Sequence, residues 1–316
     1  MINKTKISEI SDSNLELLAE LDSEGLILAP EENVENFKKR LTELYQNLQI
    51  IEQALQDSEK FDLEGICSLS AKDKISREIM LEASAPTKNE YAFEVDWVPG
   101  FFMSKSLGPL WGGCSIIIPE VNMTVFIIRS AFRNKKRWLL YNRDELLAHE
   151  LCHSIRMPLS DRVFDENFAY RISPSFIRRL FGGTFRAEFD ALIFIAPVFL
   201  LLAVQLLNIF AKLNIPIIPF WVIAILCPAF LIIRNLFASK TLSNAEKKIL
   251  NSGFSRPYAV LFRCTTSEIK EISNCPEEKL ETWLNQKRES ELRWKVIFHR
   301  FYTKNHSLTQ KTEYKS

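Results

Sequence analysis

Apolar residues gather into two long runs in the second half of the chain. Residues 191–211 read ALIFIAPVFLLLAVQLLNIFA, interrupted only by Gln205 and Asn208. Residues 215–238 read IPIIPFWVIAILCPAFLIIRNLFA, with no charge before Arg234. Each has the length of a bilayer-crossing helix, roughly 20 apolar residues, and prolines are tolerated in such helices. The gap from Lys212 to Ile215 leaves no room for an intervening domain. The pattern therefore predicts a tight transmembrane hairpin over 187–238 rather than two core helices of a soluble protein.

Upstream, the periodicity changes. Val34, Phe37, Leu41, Leu44, Leu48, Ile51 and Leu55 recur in steps of three and four, which predicts a helix over about 30–56. It closes an N-terminal helical region, 1–60, that starts with a shorter helix near 11–22. The stripe suits a long helix lying on a neighbouring domain, or a dimerising or regulatory arm. A helical piece is expected over 72–82, with a break at Ala85-Pro86. Strand patterns follow: YAFEVDW over 91–97, CSIII over 114–118 after Gly112-Gly113, and MTVFIIR over 123–129. Pro99-Gly100 and Gly108-Pro109 mark turns.

The strands run into RDELLAHELCHSIR, residues 143–156. It reads as a helix with Asp144 and Glu145 in its first turn, where the macrodipole favours acids, and Pro158 beyond its end. Within it His149-Glu150-Leu151-Cys152-His153 is an H-E-x-x-H run. Residues four apart share one helix face, so both imidazoles can reach one small cation, with Glu150 beside the first. Two neutral nitrogen ligands and a carboxylate base next to an open position are what zinc hydrolysis requires.

A catalytic zinc (Zn2+) takes a third protein ligand. No histidine follows His153 closely, so the candidates are Asp161, Asp165, Glu166, Glu188 and Asp190. Glu166 is preferred because FDENFAYRI, residues 164–172, reads as a second helix able to pack beside the first; Glu188 is the runner-up. With His149, Glu150, His153 and Glu166-Asn167-Phe168-Ala169, the chain resembles the gluzincin metallopeptidases, in which a Glu from a following helix completes the site. The Glu-x-x-Ala run is also similar to that of membrane-bound heat-shock and prenyl-protein peptidases, with Tyr170 replacing their Asp and the hairpin following rather than preceding the Glu. The resemblance covers about 91–186. It implies a zincin-like α+β catalytic domain over 61–186, a small mixed sheet with active-site helices. It also implies an extended peptide adding to a sheet edge near Gly113 to Ile116. Glu150 would be the general base, Tyr170 and Arg156 candidate oxyanion donors, and Asp165 a candidate partner of a ligating histidine. Phe101, Phe102 and Trp111 are candidates for a pocket wall or for core.

Charge adds topology. The net charge of +1 gives no global field for nucleic acid, but residues 1–60 hold 6 basic and 13 acidic side chains, and 240–316 hold 15 and 9. Arginines 171, 178, 179 and 186 precede the hairpin; Arg234, Lys240, Lys247 and Lys248 end it; the turn has only Lys212. The positive-inside rule then expects a two-pass protein with the motif and both termini in the cytoplasm. The six cysteines form no C-x-x-C pair, in keeping with reduced thiols, and the first residues lack a signal-peptide apolar core. The basic segment 239–316 is expected to be a small α/β module: a strand over 257–264, a short helix capped by Thr265 or Thr266, and a longer helix over 276–302. Its charge suits an anionic leaflet. His299 and His306 lack ligand spacing, and the last dozen residues read as disordered.

Two functions follow from this pattern. One is a membrane-anchored zinc metalloprotease acting on a peptide or protein substrate, with no nucleic acid partner and an oligomer possible through the N-terminal helix. The other is a non-catalytic membrane scaffold that keeps a zincin fold.

Overall fold

The computed structural model describes residues 3–58, 60–63, 67–103, 108, 111–118, 123–160 and 163–303. The N-terminal region is helical: α1 (Lys4–Ser8), α2 (Leu15–Ser23) and the long α3 (Val34–Ser58). A small hairpin, β1 (Lys60–Leu63) and β2 (Cys67–Ser70), leads to α4 (Arg77–Tyr91). Pro86 lies inside α4 rather than breaking it, and the stretch after Tyr91 forms no strand, contrary to the alternation of 91–97. Ala92 takes a left-handed conformation that ends the helix and turns the chain, so that stretch packs as irregular backbone. Its inward side chains, Phe93 and Val95, still alternate into the core.

Next come β3 (Gly100–Met103), β4 (Gly113–Ile118) and β5 (Met123–Arg129), which form a mixed sheet in the order β3-β5-β4. β3 runs parallel to β5 and β4 antiparallel. The central strand is buried on both faces, as a continuous apolar run requires. Phe126 and Ile128 share a core with Leu147, Leu151 and Ile155 of the motif helix. Val125 and Ile127 point the other way, into a core with Ile51 and Leu55 of α3. Strand period two thus sandwiches the sheet between the motif helix and α3. Phe37 and Leu41, earlier on the α3 stripe, pack on α1 and α2, so the stripe is covered by its own chain.

A two-residue-stranded hairpin, β6 (Arg137–Trp138) and β7 (Tyr141–Asn142), precedes the motif helix α5 (Arg143–Arg156). Two short helices follow, α6 (Asp165–Arg171) and α7 (Phe176–Phe181). The hairpin helices are α8 (Glu188–Phe210) and α9 (Ile218–Asn251). Both are long and apolar enough to cross a membrane, and only 11% of each apolar window is buried, so they are not the core of the folded unit. At 34 residues, α9 is about 50 Å long, well beyond a bilayer's hydrocarbon thickness. Its last turns bury Ala238, Leu242, Ala245 and Ile249 in the same core as the motif helix.

The C-terminal segment is all helix among the described residues: α10 (Pro257–Phe262), α11 (Thr266–Asn274), α12 (Glu277–Ser290) and α13 (Leu292–Phe301). The expected strand at 257–264 is α10 instead. A short apolar run has no decisive period, and Pro257 pre-sets the first helical turn. The long helix expected over 276–302 breaks at Glu291, whose backbone is extended. Phe262 stacks on Tyr91 at 4.3 Å between ring centroids and meets Phe168 of α6 edge-on at 5.6 Å. The region after the hairpin therefore shares a core with the region before it. The molecule is thus mostly helical, with one small mixed sheet and two membrane-capable helices.

Candidate metal centre

The motif helix begins where Asn142 accepts hydrogen bonds from the Asp144 and Glu145 amides, at 2.9 and 3.3 Å. This is a side-chain N-cap, and the two acids in the first turn reinforce it. Leu147, Ala148, Leu151, Cys152 and Ile155 are all buried, which fixes the helix rotation. His149 and His153 then fall on its remaining face, with their Nε2 atoms 3.2 Å apart.

Glu166 arrives from α6. Its Oε1 lies 3.4 Å from His153 Nε2 and its Oε2 3.7 Å from His149 Nε2. One ligand atom from each of the three residues lies within 4.8 Å of the others. Among the described residues, no other set of histidine, cysteine or acidic side chains is so arranged. The link from His153 to Glu166 is short, and it closes because α5 and α6 are clamped. Arg156, fully buried at the end of α5, donates from Nε to Asp165 Oδ1 at 2.5 Å, and its Nη1 donates to the carbonyl of Phe262.

The groups suit a cation. Burial, and after it the charge of His153, pushes the His149 imidazole down to about 3, so the ring is neutral, the form that coordinates metal. The Ala169 backbone beside it pulls the other way, towards the charged form. Burial raises the Glu166 carboxyl to about 7; His153 opposes the rise and Glu150 and Asp165 add to it. A bound cation reverses that preference. The Tyr170 ring stands edge-on to His149 at 4.6 Å. The close approach behind that ring requires Gly182, where a Cβ would lie 2.0 Å from Tyr170 Cγ.

Beside the triad opens a cleft of about 550 Å³. His149, Glu150 and Tyr170 line it, with Gly113 at the start of β4 and Ile177, Phe181 and Phe185 on the far side. Glu150 therefore faces the space a substrate would fill. β4 is an edge strand, without a strand partner on its outer side among the described residues. A Cβ on Gly113 would sit 3.0 Å from Leu146 Cδ2 of the motif helix, so the absent side chain lets edge strand and helix meet.

Other expected roles fall elsewhere. Arg156 is turned into the core under Phe168, 4.4 Å from guanidinium carbon to ring centroid, and cannot serve an oxyanion. Asp165 pairs with that arginine rather than with a histidine. Asp190 is buried at the base of the hairpin, where Arg234 donates to both its oxygens. Glu188 opens α8, but its side chain lies outside the described residues, as do Asp161, His306 and the rest of 304–316. Phe101 and Phe102 are buried on opposite faces of the sheet and Trp111 packs on the α3 side; none lines the cleft. His299 pairs with the exposed Glu16 at 3.4 Å.

A polar group on the cleft wall had no signal in the sequence. Glu145 Oε1 accepts from Ser173 Oγ at 2.5 Å and from Arg178 Nη1 at 2.9 Å. The same holds for Asn167, whose amide donates to Asn235 Oδ1 of α9 at 3.0 Å. Neither set has a spacing signature, since its members come from different helices. Comparison with family models, with curated proteins and with solved structures finds no match to this chain.

Proposed function

We propose that this chain is a membrane-anchored zinc metallopeptidase, in which His149, His153 and Glu166 hold the metal and Glu150 is the general base. The observation that carries the reading is the convergence of three donors from two helices within 4.8 Å, beside a cleft that Glu150 also lines. When bound, zinc supplies a Lewis acid and lowers the pKa of water from about 15.7 towards 7. Glu150 takes the proton of the attacking water and returns it to the leaving amine. Tyr170, edge-on to His149, limits the tilt of its ring. A substrate main chain adds to the outer edge of β4, which points it across Glu150.

The hairpin anchors the enzyme as a two-pass protein. The arginines and lysines at its outer flanks support a cytoplasmic metal centre and cytoplasmic termini.

The test is metal content together with peptidase activity of the full chain in nanodiscs. Wild type is expected to hold one zinc per chain and to cleave a fluorogenic peptide. Glu150→Gln is expected to keep the zinc and lose about 10²–10⁴-fold in rate, the usual range for a general base. A Gln variant indistinguishable from wild type would instead favour a non-catalytic scaffold.

A further inference from the structure

Part of the rim of the cleft is apolar and exposed. β6 and β7 are joined by Leu139-Leu140, which are 64% and 80% exposed. Two-residue hairpin turns ordinarily use Asn or Gly, because they need positive φ. Here Leu139 has φ +49°, a costly conformation for a branched apolar side chain. Arg178 ties this tip to α7 by donating to the Leu140 carbonyl. On α7 itself Phe176 and Ile177 are each 68% exposed. Water alone gives no reason for such side chains to gather around an opening.

The rim is also continuous with the hairpin. Phe185, on the cleft wall, meets Phe194 at 5.7 Å between ring centroids. Phe194 lies five residues into the candidate span that starts at Phe189, about 7 Å along the helix. The cleft wall thus reaches the level of the first turns of the span. Beside the leucine tip, Lys135 and Arg137 are exposed, as is Arg179 on α7, while Lys136 is paired with Glu82 and Asp144. Apolar side chains flanked by exposed cations suit an anionic bilayer surface.

We propose that this rim docks on the bilayer and sets the mouth of the cleft at the membrane–water interface, so that the substrate is a juxtamembrane segment of another membrane protein. The substrate half rests on the metallopeptidase reading; the docking half rests on the hairpin alone. The partner is the lipid surface, recognised by Leu139, Leu140 and Phe176 with the neighbouring cations.

The test uses the full chain in nanodiscs containing anionic lipid, with a fluorescent amino acid at position 140 or 176. Position 279 serves as reference. Lys279 is exposed on α12, which packs at the Asn251 end of α9, about 20 Å beyond Ala238. Probes at 140 and 176 are expected to be quenched by lipids carrying a shallow acyl-chain nitroxide and to be several-fold less sensitive to aqueous iodide than the probe at 279. Iodide quenching as strong at 140 and 176 as at 279 overturns the docking surface.

The second readout is cleavage of one peptide presented either free or on a lipid anchor. Leu139→Glu combined with Phe176→Glu, neither of which lines the cleft, is expected to keep zinc and free-peptide cleavage while anchored-peptide cleavage falls at least tenfold. An equal fall for both peptides, or no fall for either, overturns the substrate half. A zinc-loaded wild type that cleaves neither peptide refutes the peptidase reading instead, and the quenching result still decides the docking.

Discussion

Arg156 and Asp165 close the turn between the two helices that build the metal centre, with 2.5 Å between Nε and Oδ1. The arginine is wholly buried and also serves the Phe262 and Cys264 carbonyls. One side chain therefore fixes the end of the motif helix, the start of the helix carrying Glu166, and the C-terminal helices. Arg156→Leu is expected to destabilise the chain by about 3 kcal/mol, because it strands a paired carboxylate and two buried carbonyls. Zinc affinity should fall with it. Thermal unfolding in nanodiscs, with and without excess zinc, checks both.

Glu166 and Glu188 separate by metal content. Glu166 lies beside both histidines, at 3.4 and 3.7 Å. Glu166→Ala is expected to weaken zinc by more than about 100-fold, beyond the range typical of outer partners. Glu188→Ala should bind zinc like wild type. Competition with a chelating dye measures both, and the reverse order would reassign the third ligand.

Gly182→Ala tests the packing behind His149. The φ of Gly182 is an ordinary −56°, so alanine brings no backbone penalty, but its Cβ would fall 2.0 Å from Tyr170 Cγ. The ring must move, and His149 loses its edge-on neighbour. The expected result is about 1–3 kcal/mol of destabilisation from overpacking, with zinc affinity reduced about tenfold. Gly182→Ala in a Tyr170→Ala background should recover most of that loss.

Glu268 gives the fold a sensitivity to acid. Burial alone would raise its carboxyl, but Arg293 at 2.7 and 3.0 Å, the Thr265 amide and Trp294 Nε1 hold it below the usual value. Its folded-state pKa is thus depressed from an unfolded value of about 4.3. The stabilisation it provides is complete above that value and is lost as pH falls through the folded one. Glu268→Gln is expected to cost about 3 kcal/mol at pH 7, the low end for a broken buried pair because Glu291 still binds Arg293. It should also flatten stability against pH below about 4.3, as equilibrium unfolding over pH 3–7 would reveal.

Much of this protein was legible in its residue pattern. The spacing of His149 and His153 and the buried face of their helix follow from the 3.6-residue period, which needs no tertiary information. The two apolar runs are long enough to name a hairpin by length alone. The strand at 123–129 stood out through its β-branched residues, and that at 114–118 as a short apolar run after two glycines. The α3 stripe was visible as well, although its partners were not.

Tertiary structure decided what local signals leave open. Periodicity cannot tell a short buried strand from a short buried helix; PYAVLF as α10 reflects Pro257 in its first turn and Phe262, which stacks on Tyr91 and meets Phe168 edge-on. Sequence separation could not choose among five acids, since the distance between two helices depends on what clamps them. That clamp is Arg156, whose partners lie 9 and 106 residues away. A sequence fixes which atoms one helix turns to the same side; bringing a second helix to meet them takes buried pairs and packing from across the whole chain.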